Sequence, residues 1–340
     1  MRKLAPTHLL LILIALLPLM ILLAVILGAV SFSLSDIFTS IFKSTSDSLP
    51  THIGTIIWEI RLPRALLAAC IGGILALSGA AMQGLFRNPL ADPSLIGVTA
   101  GASLGASLAI VFFTGTMSSW LGLPLVSLGA FLGGSIAVVW VYRLSHSVYG
   151  TSIATMLLAG IAITALAGSI GGFLIFYADN ELLRRISLWQ MGGLEGATVS
   201  HVILAATALG VLCAVFLRLS TAFNVLLLGE SEARHLGINT ERIKTLSILL
   251  VAAGVGIAVA LAGTIAFIGL VVPHIIRLLI GPDHRYLFLA SALAGAILLC
   301  LADILARTLL APVELPVGLL TALIGVPFFI SLLKQRPFFE

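Results

Sequence analysis

Two polar stretches interrupt apolar runs of the chain, and each brings together side chains able to do chemistry. The first is GESEARHLG, Gly229 to Gly237, inside the longer insert LLLGESEARHLGINTERIK that runs from Leu226 to Lys244. Glu230 and Glu232 suit the positive end of a short helix dipole, Arg234 and His235 lie toward its negative end, and Gly237 is placed to close it. Ala233 and Leu236 fall on the same short element. Leu226 to Leu228 and Leu236 add an apolar flank, so the chemistry is recognition by a groove on a soluble partner; a solvated charged helix is the plainer alternative. The second stretch is RNPLADP, Arg87 to Pro93. Asn88 and Asp92 each precede a proline and suit turn starts, Pro89 and Pro93 bar a continuous helix, and Gly97 permits close helix contact.

Other chemistries are absent from the pattern. Lys3, Lys43, Lys244 and Lys334 follow Arg, Phe, Ile and Leu, never Gly, so the chain has no nucleotide-binding P-loop. It has no HExxH, no Ser/His/Asp cluster and no paired acids, which argues against a membrane enzyme. Cys70, Cys213 and Cys300 lie in apolar runs without CxxC spacing and read as core-filling thiols. Residues 94–113 and 151–177 carry no acid, base or histidine, which weakens a proton-coupled secondary transporter. A net charge of +4 gives no ground for a nucleic-acid partner.

The elements that position these loops follow from composition. With 60% hydrophobic and 9% charged residues, and a mean hydropathy of +1.18, the chain is an integral membrane protein. Helices satisfy the backbone in lipid and need about 20 apolar residues each. Apolar runs and breakers place ten, near 9–30, 63–84, 94–113, 121–141, 151–177, 198–217, 245–262, 271–281, 287–307 and 316–333. The first is an uncleaved span, being longer than a signal sequence requires. An even number puts both termini on one side, and twelve Lys and Arg fall on that side against six opposite, so the termini are expected in the cytoplasm. Residues 1–340 then form one transmembrane domain, with 226–244 as a cytoplasmic loop within it.

Thr245 to Ile276 is too long for one span and too short for two. Gly263, Gly269 and Pro273 predict a full helix, a buried irregular break and a short helix. Gly101/Gly105, Gly129/Gly133 and Gly168/Gly172 keep the spacing that lets helix backbones approach, predicting a compact bundle. Pro63 suits a first helical turn, which sets Arg61 and Arg64 at a helix N-terminus where positive charge is unfavourable and an external acidic partner would relieve it; lipid headgroups or Glu59 are the alternative.

The segments RLPRALLAACIGGILALSGAAMQGLFRNPLADPSLIGVTAGASLGA, GESEARHLG, AGTIAFIGLVVPHIIRLLIGPDHR and ELPVGLLTALIGVPFF, in this order, closely resemble the FecCD-type permeases. These are transmembrane subunits of ABC importers for iron-siderophore, haem and cobalamin. The resemblance implies a ten-helix, type II importer permease of the bacterial inner membrane, working as a homodimer with two ATP-binding cassette subunits below and a periplasmic binding protein above. ATP and Mg²⁺ then belong to the partner ATPase, and this chain binds no cofactor. Gly229, Glu230, Ala233, Leu236 and Gly237 match the family's coupling helix. Arg87, Asn88, Pro89, Asp92 and Pro93 match its gate-supporting loop. Arg61 and Arg64, with Arg307 beside them, resemble arginines that dock the binding protein.

The outer segment YADNELLRRISLWQMGGLEGA, Tyr177 to Ala197, is most similar to haem permeases. Arg184 and Arg185 would meet haem propionates, while Trp189 and Met191 would offer a planar apolar cargo a smooth wall. Ferric siderophore and cobalamin are the alternative cargoes; contact of the arginines with headgroups or a docked partner, and of Trp189 with the membrane interface, is the plainer account.

Overall fold

The computed structural model describes residues 5–28, 54–113, 119–147 and 150–334. Arg2, Lys3, Lys43 and Arg336, four of the charges used to orient the chain, lie outside them.

Each of the ten expected helices is present. They are α1 (Pro6–Ile26), α2 (Leu62–Leu85), α3 (Val98–Phe113), α4 (Ser119–Ser145), α5 (Ile153–Tyr177), α7 (Val199–Leu226), α9 (Thr240–Ala262), α10 (Ile268–Ile280), α11 (His284–Thr308) and α12 (Val317–Lys334). Two shorter helices join them: α6 (Asn180–Met191) and α8 (Glu230–His235). Among the described residues, seven helices are long and apolar enough to cross a membrane, and α3, α10 and α12 are shorter apolar helices. A two-stranded ribbon, β1 (His146–Ser147) paired with β2 (Gly150–Thr151), links α4 to α5.

α2 is the hub: its apolar window is 89% buried, against 17–28% for α1, α4, α5 and α7. Its small residues make this position available. A Cβ on Gly72 would overlap the Gly295 carbonyl of α11, and one on Gly79 would overlap the Gly269 carbonyl of α10. Gly101 and Gly105 on α3 interlock in the same way with Gly129 and Gly133 on α4, as their spacing predicts. Gly168 and Gly172 do not: nothing of this chain lies within 4 Å of a Cβ built on either. That pair sits on a face of α5 turned away from the bundle, so its spacing has no packing partner within the chain.

The start expected at Pro63 is a mid-helix position instead. A π-helical turn, Ile56–Arg61, runs directly into α2, and the Leu62 N–H reaches back to Ile57 O. A wider turn of this kind makes room for a proline that has no N–H to donate.

The expected break is also present. α9 ends at Gly263, with φ +66°, and α10 begins after Phe267, held at φ +69°. The irregular residues between are covered by the end of α6: the Gly193 N–H donates to Ala262 O at 2.9 Å, and the Thr264 hydroxyl donates to Gln190 O. Irregular backbone survives at membrane depth when protein covers it in this way.

Candidate functional site

α8 is short, so its geometry rests on its two ends. Gly229 precedes it at φ 121°, ψ 157°, a conformation almost confined to glycine. At the other end the Ile238 N–H donates to Ala233 O at 2.9 Å and the Gly237 N–H to Arg234 O at 3.0 Å. These two bonds form a Schellman closure, with Gly237 at φ +81°. Ala233 is fully buried against the protein, whereas Leu228 and Leu236 are 66% and 62% exposed on either side of the helix. An apolar rim is thus held outward on a fixed frame.

Glu230 is the exception among the charges of α8, because it points back into the protein. Its carboxylate lies 2.7 Å from Lys244 Nζ, at the start of α9. Sequence spacing assigned Glu230 to the helix dipole and left Lys244 as a loop charge; its fourteen-residue distance from Glu230 has no helical periodicity to reveal the pair.

The 87–97 loop is built as a chain of side-chain caps. Asn88 Oδ1 accepts from the Leu90 N–H, and Asp92 Oδ1 accepts from the Ser94 N–H at 2.8 Å, opening a 3₁₀ turn, Pro93–Ile96. Burial raises the Asp92 carboxyl above the ordinary carboxylate range, opposed by its hydrogen bonds from Ser94. Gly97 is required for its left-handed φ of +79° rather than for close contact, since a Cβ there would meet Ile163 at an ordinary 3.5 Å. The close contacts lie elsewhere. Pro93 and Asp92 pack on Gly269 at the start of α10, and the Leu95 carbonyl packs on Gly160 of α5. Arg87, at φ 48°, reaches toward Gly229, so the loop and α8 share one face of the protein.

The opposite face holds the arginines. Arg61, Arg64 and Arg307 are 5%, 5% and 4% exposed, which corrects the expected placement of Arg61 and Arg64 at a free helix N-terminus. Arg64 Nε meets Asp303 Oδ1 at 2.9 Å and Arg64 Nη1 meets Glu314 at 2.7 Å; Arg307 Nε meets Asp303 Oδ2 at 3.0 Å. Arg61 donates to Val25 O and Ile26 O, and Arg307 to Ala24 O, tying the end of α1 to α2 and α11. The acids that relieve Arg64 and Arg307 come from this chain, and the groups that accept from Arg61 are backbone carbonyls of α1. The i,i+4 spacing of Asp303 and Arg307 in an apolar run was the available signal.

α6 occupies the outer segment between α5 and α7. Asp179 caps it through the Leu182 N–H, and Leu182, Ile186 and Trp189 form its inward stripe. Arg184, Arg185 and Met191 are exposed, Trp189 is half-buried, and Arg185 pairs with Glu181 at 2.7 Å.

The FecCD transport family model matches residues 14–335. The chain belongs to the FecCD transport family. It is 46% identical over 312 residues to the hemin transport system permease protein HmuU of Yersinia pestis, covering 91% of this chain and 90% of that one. It is 42% identical to the cobalamin import system permease protein BtuC of Halobacterium salinarum, covering 85% and 76%, and 42% identical to the iron(3+)-hydroxamate import system permease protein FhuB of Bacillus subtilis, covering 92% and 79%. A solved inward-facing structure of a metal-chelate type ABC transporter superposes with a TM-score of 0.85 at 31% identity, over 97% of this chain and all of that one. As a FecCD member, the chain presents a capped short helix and the 87–97 loop on one face, and a buried cluster of arginines paired within the chain on the other.

Proposed function

We propose that the chain is the transmembrane permease subunit of an ATP-driven importer, crossing the bacterial inner membrane ten times and working as a homodimer. The observation that carries this reading is the exposed apolar rim of Leu228 and Leu236 around a helix fixed by Gly229 and the Gly237 closure. A separate ATP-binding cassette subunit receives that helix, and hydrolysis of ATP with Mg²⁺ takes place there. The loop at Arg87, Asn88, Pro89, Asp92 and Pro93 supports the gate through its contacts with α10 and α5. A periplasmic binding protein delivers cargo to the opposite face.

Haem is the proposed cargo, with ferric siderophore or cobalamin as the alternative. Support comes from the near full-length similarity to a hemin permease and from Arg184 and Arg185, which stand exposed where propionates would arrive. A proton-coupled carrier gains no support: Asp303, which has no exposed surface, is paired with Arg64 and Arg307, and Asp92 is engaged as a cap of the 87–97 loop. The test is uptake by proteoliposomes holding the permease, its ATPase and its cognate binding protein. ATP-dependent accumulation of haem supports the reading in full; accumulation of a ferric siderophore alone overturns the cargo and keeps the importer; uptake driven by a proton gradient without ATP overturns both.

A further inference from the structure

α8 meets the membrane body through buried Ala233 and through an ionic centre. Lys244 is 3% exposed, and its Nζ contacts three acceptors: Glu230 at 2.7 Å, Glu241 at 3.1 Å and the Thr151 carbonyl at 3.2 Å. These come from three different elements. Glu230 opens α8, Glu241 lies in the first turn of α9, and Thr151 ends the ribbon that leads into α5. The second oxygen of Glu241 accepts from the Thr151 N–H at 2.8 Å, so Thr151 is held through both its N–H and its carbonyl. Gly150, at φ +107°, leaves the space that the Glu241 carboxylate fills. One residue on, Ser152 caps α5 through the Thr155 N–H. The Arg234 guanidinium lies 3.9 Å and 4.0 Å from the two carboxylates, making two cations against two anions.

We propose that Lys244 is the positioning residue that ties α8 to α5, so that a displacement of α8 is carried directly into α5. The inference rests on the importer reading for what pushes α8, but the tie itself belongs to this chain alone. The ammonium, 3% exposed, has little water to turn to when an acceptor is lost and so resists separation from them, while the Glu230 and Glu241 carboxylates are themselves 28% and 31% exposed. The receiving helix is suited to move. α5 buries only 22% of its apolar window in the chain, and a Cβ on Gly168, Gly171 or Gly172 would meet nothing within 4 Å. α9, which carries Lys244, buries 61% of its window, against 22% for α5.

The test begins with the full-length permease in lipid nanodiscs. Amide hydrogen exchange is measured across 229–237 and 150–155 for the unaltered chain, Lys244→Met, Lys244→Arg and Glu230→Gln. Lys244→Met is expected to speed exchange in both segments together by about tenfold, with α2 and α11 unchanged and Lys244→Arg close to the unaltered chain. Glu230→Gln, which leaves the Glu241 and Thr151 contacts in place, is expected to loosen 229–237 alone and provides the assay should Lys244→Met fail to insert. Unchanged exchange in 229–237 in an inserted variant overturns the tie. The second measurement is ATP consumed per cargo molecule imported by the complete assembly, expected to rise about tenfold in Lys244→Met or, failing its insertion, in Glu230→Gln, and to return with Lys244→Arg. A loosened α8 with an unchanged ratio overturns the transmitting role. If the unaltered chain recruits no ATPase, the importer reading fails while the exchange result still decides the tie.

Discussion

Arg64 Nε stands 2.9 Å from Oδ1 of Asp303, a carboxylate with no exposed surface, and Arg307 Nε stands 3.0 Å from its other oxygen. Asp303 therefore bridges two buried cations on neighbouring helices, and Arg64 has Glu314 as a second acid. Asp303→Ala leaves Arg307 with no acid and Arg64 with Glu314 alone, and is expected to cost about 3–5 kcal/mol, seen as a fall in thermal midpoint and in the yield of purified protein. Adding Arg307→Met to Asp303→Ala recovers part of the loss, since one stranded cation is gone. Reversing Arg61 and Arg64 is expected to reduce folded protein before any docking can be measured. Normal yield of that double reversal would restore these side chains to the surface.

What the sequence revealed depended on how local the signal was. Helix positions came from runs of apolar residues, and the break after Ala262 from Gly263, Gly269 and Pro273, all read within a few residues. The Schellman end of α8 was visible in Gly237 for the same reason. The Lys244–Glu230 and Arg64–Asp303 pairs were not legible, because contacts fourteen and 239 residues apart leave no periodic trace in one sequence. α6 could have been found: Asp179 is an N-cap, and Leu182, Ile186 and Trp189 recur at helical spacing.

The glycines make a paired prediction. Gly79→Ala forces a methyl into the Gly269 carbonyl and is expected to destabilise by roughly 1–3 kcal/mol or more, whereas Gly168→Ala meets nothing in this chain and leaves its stability unchanged. Thermal unfolding of each variant in detergent decides the matter, and equal midpoints would refute the tight approach of α2 and α10. Should Gly168→Ala leave stability intact yet shift the monomer–dimer balance, the open face of α5 meets a second copy.

Gly229 and Gly237 differ in what they tolerate. Gly237→Asn is expected to preserve ATP-dependent uptake to within a few-fold, because asparagine accepts the left-handed conformation at a helix end. Gly229→Ala is expected to abolish it, since φ 121° with ψ 157° lies where a Cβ is strongly disfavoured. Both variants should insert normally, as each glycine precedes or follows a surface helix. Full uptake by Gly229→Ala would remove α8 from the coupling path.

The exposed arginines of α6 give the last prediction. Arg185 shares its charge with Glu181 one turn earlier, and Arg184 and Arg185 both lie on the exposed side of α6. An exposed pair of this kind acts through screened attraction, so its effect must weaken with salt. Arg184→Gln with Arg185→Gln is therefore expected to slow haem uptake by about three- to tenfold at low ionic strength and by little at high ionic strength, with ATP-binding cassette recruitment unchanged. Trp189→Ala should behave differently. Its ring is half-buried beneath the same helix, and its carbonyl packs on Gly263 at the α9–α10 break, so losing the ring loosens α6 over that break and lowers stability at any salt concentration. Salt-independent loss of uptake in the double arginine variant would mean that these residues support the fold of α6 and do not meet the cargo.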